Sequence, residues 1–161
     1  MRERDVAEGI LTTPLQGRVQ SLESMQDGVF SEKILGDGIA IEPSVGEVYA
    51  PADGVIALVM DTKHAIAMKS KSGTDIMIHV GLDTVKLAGK PFEVYVKAGD
   101  SVKRGQLLMK FDMEMIRAAG CKMITPVIIT NAAEYEIQEL VNMEQDVKKG
   151  KDILKLTHKE A

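Results

Sequence analysis

Short apolar runs, broken by glycine and proline, recur along this chain and constrain its fold more than any other feature. Examples are "GEVYAPADGVIALVM", "HAIAMK", "DIMIHV", "QLLMKF" and "ITPVIIT". The runs are rich in valine and isoleucine, which favour β-strands. Turn-forming residues separate them about every eight to twelve residues, which is typical of a sandwich or barrel of short strands. The sequence therefore predicts an all-β fold of short antiparallel strands.

The chain also contains two pairs of similar segments. "TPLQGRV" (13–19) resembles "APADGVI" (50–56), and "VKRGQLLMKF" (102–111) resembles "VKKGKDILKL" (147–156). Two copies are too few for a solenoid, so we interpret them as an internal duplication. The alternative is that β-proteins reuse the same turn chemistry.

Size and charge exclude several classes of protein. A chain of 161 residues fits a single domain, which we place at 1–161. The net charge of −4, without a long basic run, argues against nucleic acid as the main partner. No stretch approaches the ~18 apolar residues of a membrane span, and the first ten residues lack a signal-like apolar segment. Because Cys121 is the single cysteine, an internal disulfide is excluded and a reducing compartment is favoured. We expect a cytoplasmic monomer that begins at its own Met1.

Two of the three histidines, His64 and His79, lie in one segment, "TKHAIAMKSKSGTDIMIHVGLDT" (62–84). Alternation in "DIMIHV" and turn formers in "SKSGT" predict a β-hairpin. A four-residue loop would pair His64 with His79, and a two-residue loop would place them diagonally. Either register puts both rings on one face, with Cβ atoms about 5 Å or roughly 7–8 Å apart. A loop of three or five residues would put the rings on opposite faces.

Two neighbouring imidazoles beside Met77 have three possible uses. They could ligate a metal, act as acid and base, or act as a nucleophile with its stabiliser. Zinc usually takes three or four protein ligands, and His158 and Cys121 are remote in sequence, so a dedicated metal site is not expected. The alternative is that the two histidines are unrelated surface or core residues.

Longer segments around the hairpin carry a family resemblance. The segments are "VFSEKILGDGIAIEPSVGEVYAPADGVI", "TKHAIAMKSKSGTDIMIHVGLDTVKLAGKPF", "AGDSVKRGQLLMKFD" and "TPVIITN". They resemble the glucose-family IIA domain of the bacterial phosphoenolpyruvate-dependent sugar phosphotransferase system, most closely over about 27–131. The resemblance implies a β-sandwich with Greek-key and jelly-roll character and a duplicated motif. It also implies a phosphocarrier, a phosphotransferase component that requires no cofactor.

The resemblance assigns roles to three residues of the hairpin. His79, in "IHVGLDT", is implied to be the residue that is phosphorylated. His64, in "TKHAI", is implied to pass the phosphoryl group onward, and Thr62 to orient the site. The implied donor is the phosphocarrier protein HPr, and the implied acceptor is a cysteine of a IIB domain. Family members can bind zinc between the two histidines and a partner's carboxylate, so the resemblance also implies that His64 and His79 are able to share a zinc ion with a partner.

The resemblance further implies a partner-binding face with an apolar rim and acidic positions that meet arginines of the donor. Its residues would be Asp27, Val29, Phe30, Ile34, Met60, Met77 and Asp83. Several family members have phenylalanine where this chain has Met60 and Met77, a change that keeps the surface apolar but more adaptable. The alternative is core filling for the methionines and turn chemistry for the aspartates.

Two other functions compete with the phosphocarrier, and a third is compatible with it. "VKAGDSVKRGQLLMKFDMEMI" resembles a biotinyl or lipoyl carrier domain, but Glu114 stands where the biotinyl type has its modified lysine. The stretch "DMEMIRAAG" is instead predicted to be a helix, with Asp112 as its N-cap and Gly120 just beyond its end. A zinc peptidase of related architecture would need a third ligand motif. A purely regulatory module is compatible with the phosphocarrier interpretation.

Overall fold

The computed structural model describes residues 9–159, which form fourteen β-strands, one α-helix and three 3₁₀ turns. The strands are β1 (Ile10–Thr12), β2 (Gly17–Gln20), β3 (Asp37–Pro43), β4 (Glu47–Tyr49), β5 (Gly54–Val59), β6 (Ala65–Ser70), β7 (Asp75–His79), β8 (Phe92–Val94), β9 (Ser101–Val102), β10 (Leu107–Phe111), β11 (Thr125–Ile129), β12 (Tyr135–Glu139), β13 (Asp146–Val147) and β14 (Asp152–His158). The helix α1 is Met113–Ala118, and the 3₁₀ turns are Glu23–Met25, Thr84–Leu87 and Ala132–Glu134. The predicted start at Met1 and both ends of the predicted domain lie outside the described residues.

The strands form three antiparallel sheets, which confirms the predicted all-β fold. The largest has the order β13-β2-β3-β11-β7-β6-β5-β9, and the two smaller ones are β1-β14-β12 and β4-β10-β8. Many neighbours in the sheets are distant in sequence, as Greek-key connections require. No helix among residues 9–159 is long and apolar enough to cross a membrane.

The two halves of the large sheet, β13-β2-β3-β11 and β9-β5-β6-β7, repeat each other. Gly17 of β2 pairs with Pro43 of β3, and Gly54 of β5 pairs with Ser70 of β6. The same two glycines pair with the edge strands β13 and β9. The similar sequence segments therefore correspond to a structural duplication, as interpreted from the sequence.

One face of the large sheet, the inner face, packs into the main core. Ile39, Ile41, Ile76, Ile78 and Val127 are all at most 1% exposed there. Burial of each such side chain contributes about 1.5–3 kcal/mol, so the core holds the sheet in place.

The opposite, outer face is only partly covered. In the first half, Leu22, Met25 and Phe30 pack against Ala40 and Ile128 as a second, smaller core. In the second half, the outer face carries the small side chains of Ala65 and Ala67, and His79 is only half-buried. The candidate site therefore lies where the cover formed by residues 22–30 ends.

The hairpin of β6 and β7 has a register that differs from both predicted ones. Ala65 pairs with His79, and the Ser70 N–H donates to the Thr74 carbonyl at 2.9 Å. Three residues form the loop, the last being Gly73 in the left-handed region at φ 94°. A type I turn followed by a left-handed glycine is a common three-residue hairpin loop. The four-residue and two-residue loops were therefore wrong.

The expectation that this register separates the two rings was also wrong. His64 precedes the first residue of β6, so strand alternation does not fix the direction of its side chain. The chain enters β6 through a turn in which the Lys63 N–H donates to the Met60 carbonyl at 2.7 Å. Lys63 is left-handed at φ 63°, and the turn leaves His64 free to face His79.

The predicted helix is present as α1. The Asp112 carboxylate accepts from the Met115 N–H at 3.0 Å, and Gly120 has φ 78° beyond the C-terminus, so both predicted ends are confirmed. Glu114 therefore lies in the first turn of a helix, where its carboxylate pairs with Arg117. The likeness to biotinyl carriers does not extend to a hairpin that presents this position.

Candidate functional site

The rings of His64 and His79 meet on the outer face of the second half of the sheet. Their centroids are 4.7 Å apart with an interplanar angle of 79°, an edge-to-face contact. The Phe30 ring lies on the other side of His79, 5.1 Å between centroids and tilted by 55°. The two imidazoles thus share one pocket, as expected from the sequence, although by a different register.

A backbone carbonyl orients the His79 ring. Its Nδ1 lies 2.8 Å from the carbonyl oxygen of Gly81. Because a carbonyl oxygen only accepts, Nδ1 must carry the proton. The neutral ring therefore has its lone pair on Nε2.

A hydroxyl orients the His64 ring, which is only 3% exposed. Its Nδ1 lies 2.7 Å from Thr62 Oγ1. The hydroxyl can donate to a neutral Nδ1, and the proton of the ring is then on Nε2. In this arrangement His64 offers an N–H donor and His79 offers a lone pair.

Burial keeps both rings neutral near pH 7. Burial, together with the smaller effect of the positive charge that His79 can carry, lowers the pKa of His64 to about 4. Burial also lowers the pKa of His79, against the hydrogen bond to Gly81 and the charges of Asp27 and Asp83, which raise it. A neutral imidazole is a nucleophile, whereas an imidazolium is not.

Gly81 is required at its position by the backbone. Its φ is 74°, and a Cβ there would lie 2.6 Å from the Lys122 carbonyl oxygen and 2.8 Å from Thr84 Cγ2. Sequence reasoning missed this residue. The available signal was a glycine two positions after the histidine of a predicted strand.

The rings open onto a cleft of about 590 Å³ with an apolar wall and charged groups at its rim. Its lining residues are Met25, Gln26, Asp27, Val29, Phe30, Met60, His64, His79, Leu82, Asp83, Val85 and Lys122. Burial alone would raise the pKa of Asp27, but backbone N–H donors from Ser31 and Phe30 bring its pKa below the ordinary value. The carboxylate is therefore charged and fixed in direction.

The structure brings most, but not all, of the predicted partner-binding residues to this cleft. Asp27, Val29, Phe30, Met60 and Asp83 line it, and Val29 and Met60 are 42% and 40% exposed.

Two predicted residues lie elsewhere. Ile34 is 66% exposed beside Leu35 and lines a separate groove. Met77 is half-buried and packs against the second core. Sequence reasoning missed Leu82, Val85 and Lys122. Leu82 and Lys122 meet through a bridge that local patterns do not indicate, and Val85 lies in the 3₁₀ turn that follows Leu82.

The site by itself does not complete a metal centre. No group of three or more His, Cys, Asp or Glu side chains is placed to hold a metal ion within residues 9–159. The two imidazoles can offer one Nε2 each. Zinc at this position would need further ligands from another molecule.

Comparisons with known proteins place this geometry in a family context. The family model described as phosphoenolpyruvate-dependent sugar phosphotransferase system, EIIA 1, matches residues 9–135. The chain is 42% identical over 152 residues to the glucose-specific EIIA component of the PTS system of Bacillus cereus, across 94% of this chain and 92% of that relative. The glucose permease IIA from Mycoplasma capricolum has a similar structure, with a TM-score of 0.84 and 34% identity over 90% of this chain and 93% of that one.

Other relatives are much longer than this chain. It is 44% identical over 146 residues to the glucose-specific EIICBA component of the PTS system of Staphylococcus carnosus, which covers 91% of this chain but 21% of that relative. The chain thus spans about a fifth of the length of such multi-component relatives.

Proposed function

Since this chain belongs to the EIIA 1 family of the phosphoenolpyruvate-dependent sugar phosphotransferase system, we propose that it is a phosphocarrier. His79 accepts a phosphoryl group from phosphorylated HPr and passes it to a cysteine of a IIB domain during sugar uptake. The observation that carries this proposal is the edge-to-face pair of neutral imidazoles, 4.7 Å apart, at the base of the cleft. The family predicted from the sequence is confirmed.

Acceptance requires a nucleophile, which His79 supplies without a separate base. The Nε2 lone pair attacks phosphorus, the bond between phosphorus and the donor breaks, and its electron pair leaves with the donor. The proton stays on Nδ1, held by the Gly81 carbonyl at 2.8 Å. Phosphoryl transfer depends mainly on such positioning and on stabilisation of charge.

His64 stabilises the phosphoryl group and assists its departure. With Thr62 donating to Nδ1, the Nε2–H of His64 is available to the phosphoryl oxygens. A phosphate dianion beside His64 raises the pKa of His64 from its value of about 4, because the opposite charge favours the imidazolium. In onward transfer, the P–N bond breaks toward His79 and a P–S bond forms with the acceptor thiolate.

The rim of the cleft supports recognition of the two partner proteins. Val29 and Met60 give it an exposed apolar surface, and the carboxylates of Asp27 and Asp83 would meet arginines of the donor. A IIB partner is supported by the Staphylococcus carnosus relative, whose name joins C, B and A components in one chain. HPr as the donor, a monomeric state and a cytoplasmic location stay predictions.

The proposal also includes the sequence predictions about cofactors and zinc. Phosphoryl transfer here requires no cofactor, and zinc enters only as an ion shared between His64, His79 and a carboxylate of a partner. The chain alone should therefore bind zinc weakly, since it supplies two ligands. A regulatory role would use the same phosphorylated state of His79.

The test is phosphorylation of the purified chain by HPr, the kinase of HPr and phosphoenolpyruvate, followed by mass spectrometry. We expect an acid-labile gain of one phosphate on His79. His79→Ala should gain none, and His64→Gln should gain it but fail to transfer it to a IIB domain. His158→Gln is the matched control, because His158 lies on the far sheet against Tyr135. Phosphorylation of His79→Ala, or normal transfer by His64→Gln, would contradict the proposal.

A further inference from the structure

In the segment that follows His79, the backbone N–H and carbonyl groups of Val80 and Gly81 and the N–H of Leu82 are held by fixed partners. The Val80 N–H donates to the His64 carbonyl at 2.7 Å. The Val80 carbonyl accepts from Thr84 Oγ1 at 2.6 Å. The Val80 N–H is therefore held by the backbone of His64, and the Val80 carbonyl is held by the side chain of the buried Thr84.

The peptide groups of Gly81 and Leu82 are held from the segment that leads into β11. The Gly81 N–H donates to Thr125 Oγ1 at 3.4 Å, and the Leu82 N–H donates to the Lys122 carbonyl at 2.9 Å. The Gly81 carbonyl is left to accept from His79 Nδ1. This carbonyl shares its peptide group with the Leu82 N–H, which Lys122 holds, and the preceding peptide group is held through the Gly81 N–H by Thr125. The two neighbouring peptide groups together set the direction of the carbonyl.

The hydroxyl of Thr125 has both of its hydrogen-bonding functions occupied. It donates its proton to the Met123 carbonyl at 2.9 Å, which leaves a lone pair for the Gly81 N–H. Thr84 and Thr125 are both 0% exposed, so water cannot replace either hydroxyl. Valine would match the shape of Thr125 but leave the Gly81 N–H buried without a partner.

We propose that Thr125, assisted by Thr84, is a positioning residue that fixes the Gly81 carbonyl and thereby selects the Nδ1–H tautomer of His79. The inference rests on the proposed phosphoryl transfer at His79. It assigns a part in that reaction to a residue 46 positions away in sequence that touches neither the cleft nor the phosphoryl group.

The tautomer matters because only one of the two places a nucleophile in the cleft. With the proton on Nδ1, the lone pair is on Nε2. With the proton on Nε2, the lone pair on Nδ1 faces a carbonyl oxygen, which cannot donate to it. A population of the second tautomer is therefore inactive, and its size measures how firmly the carbonyl is held.

The first readout is nitrogen NMR of the unphosphorylated chain, which reports the tautomer independently of any transfer. We expect wild type to show an unprotonated Nε2 at His79, Thr125→Ser to match it, and Thr125→Val to show a mixture of tautomers. Thr13→Val is the matched control, since Thr13 is a buried threonine, 1% exposed, whose hydroxyl donates to the Leu15 carbonyl outside the cleft. An unchanged tautomer in Thr125→Val would overturn the inference.

The second readout is the rate of phosphoryl acceptance. Thr125→Val should slow acceptance by roughly ten- to a hundred-fold at saturating donor, with the KM for the donor unchanged, because a misplaced group impairs the reaction and not docking. Serine should restore the rate. A rate lost equally in Thr125→Ser, or in Thr13→Val, would mean a merely structural role.

Two outcomes separate this inference from the proposed function. If wild type accepts no phosphate while its tautomer responds to Thr125→Val, the function is wrong and the positioning is right. If wild type accepts phosphate and Thr125→Val keeps both tautomer and rate, the positioning is wrong. Should Thr125→Val not fold, Thr84→Val applies the same test through the Val80 carbonyl.

Discussion

The two halves of the large sheet share one strand pattern but use their outer faces differently. Gly38 of β3 and Ala65 of β6 are equivalent positions, since they lie equally far before Pro43 and Ser70 at the ends of their strands. Gly38 pairs with Ile128, and Ala65 pairs with His79. Ile128 is fully buried under Phe30 and its neighbours, whereas His79 is half-buried at the cleft. The difference shows that the reactive position needs no special strand geometry. The difference in exposure arises because residues 22–30 cover the outer face of the first half and do not extend over the second half.

The largest effect should come from Phe30, the residue that both halves share. It is 7% exposed in the second core, and its ring contacts His79 at 5.1 Å. Phe30→Ala should lower the free energy of unfolding by about 3–5 kcal/mol. It should also raise the pKa of His79 toward its ordinary value, because the ring gains water.

Denaturant unfolding and NMR titration measure these two effects separately. Val29→Ala is the matched control, since Val29 lies beside Phe30 but is 42% exposed. A Phe30→Ala protein with the stability of wild type would mean that the cover does not distinguish the two halves.

Ile128→Ala tests the first half of the large sheet, which carries no reactive histidine. The side chain is 0% exposed, so its truncation should lower the free energy of unfolding by about 2–5 kcal/mol. Where the variant is folded, phosphoryl acceptance by His79 should stay near the wild-type rate. Urea unfolding gives the first quantity and a phosphorylation time course gives the second. A loss of acceptance without a loss of stability would show that the two halves do not divide packing from chemistry.

The strands and the duplication could be predicted because they depend on local alternation and on repeated turn residues. The hairpin register could not, because "SKSGT" suits loops of several lengths and Asn131 selects one from outside the hairpin. The Asn131 side chain accepts from the Asp75 N–H at 2.9 Å and donates to the Gly73 carbonyl at 3.0 Å. The hydrogen bond between His64 and Thr62 depends on the left-handed backbone conformation of Lys63. The sequence does not indicate this conformation, because non-glycine residues rarely adopt it.

The partner-binding residues show the same division between local and distant information. Those within a few positions of a histidine or of Phe30 reach the cleft, with the exceptions of Ile34 and Met77. Thr125 was missed because its contact with Gly81 spans 44 positions and is formed only when β11 lies beside β7. The family resemblance identifies site residues by their motifs, but it does not predict the hydrogen bonds that hold those residues in place.

The burial of His64 should make stability depend on pH. Its pKa is about 4 in the folded chain and about 6.5 when unfolded, so between these values the unfolded state binds more protons. Stability is therefore full above pH 6.5 and falls by roughly 3 kcal/mol as the pH drops to about 4.

The measurement is the free energy of unfolding as a function of pH for wild type and His64→Gln. Asp27 and Glu23, and also His79, have pKa values that are lowered on folding and are present in both proteins, so the difference between the two curves reports His64. Parallel curves would show that His64 is not desolvated.

The smallest effect concerns Asp83, which marks the open half at the rim of the cleft. The residue is exposed and left-handed at φ 62°, a conformation that asparagine also tolerates. Asp83→Lys should slow transfer from phosphorylated HPr several-fold at low salt, or about 1 kcal/mol, and Asp83→Asn should have a smaller effect in the same direction. Asp152→Lys on β14 changes the net charge equally at a distant sheet and should leave the rate unchanged.

Because the mobile ions of the buffer screen exposed charges, the gap between Asp83→Lys and wild type should close as salt is added. A gap that persists at high salt would point to altered backbone geometry at the turn before Thr84, and equal rates at low salt would remove Asp83 from the donor contact.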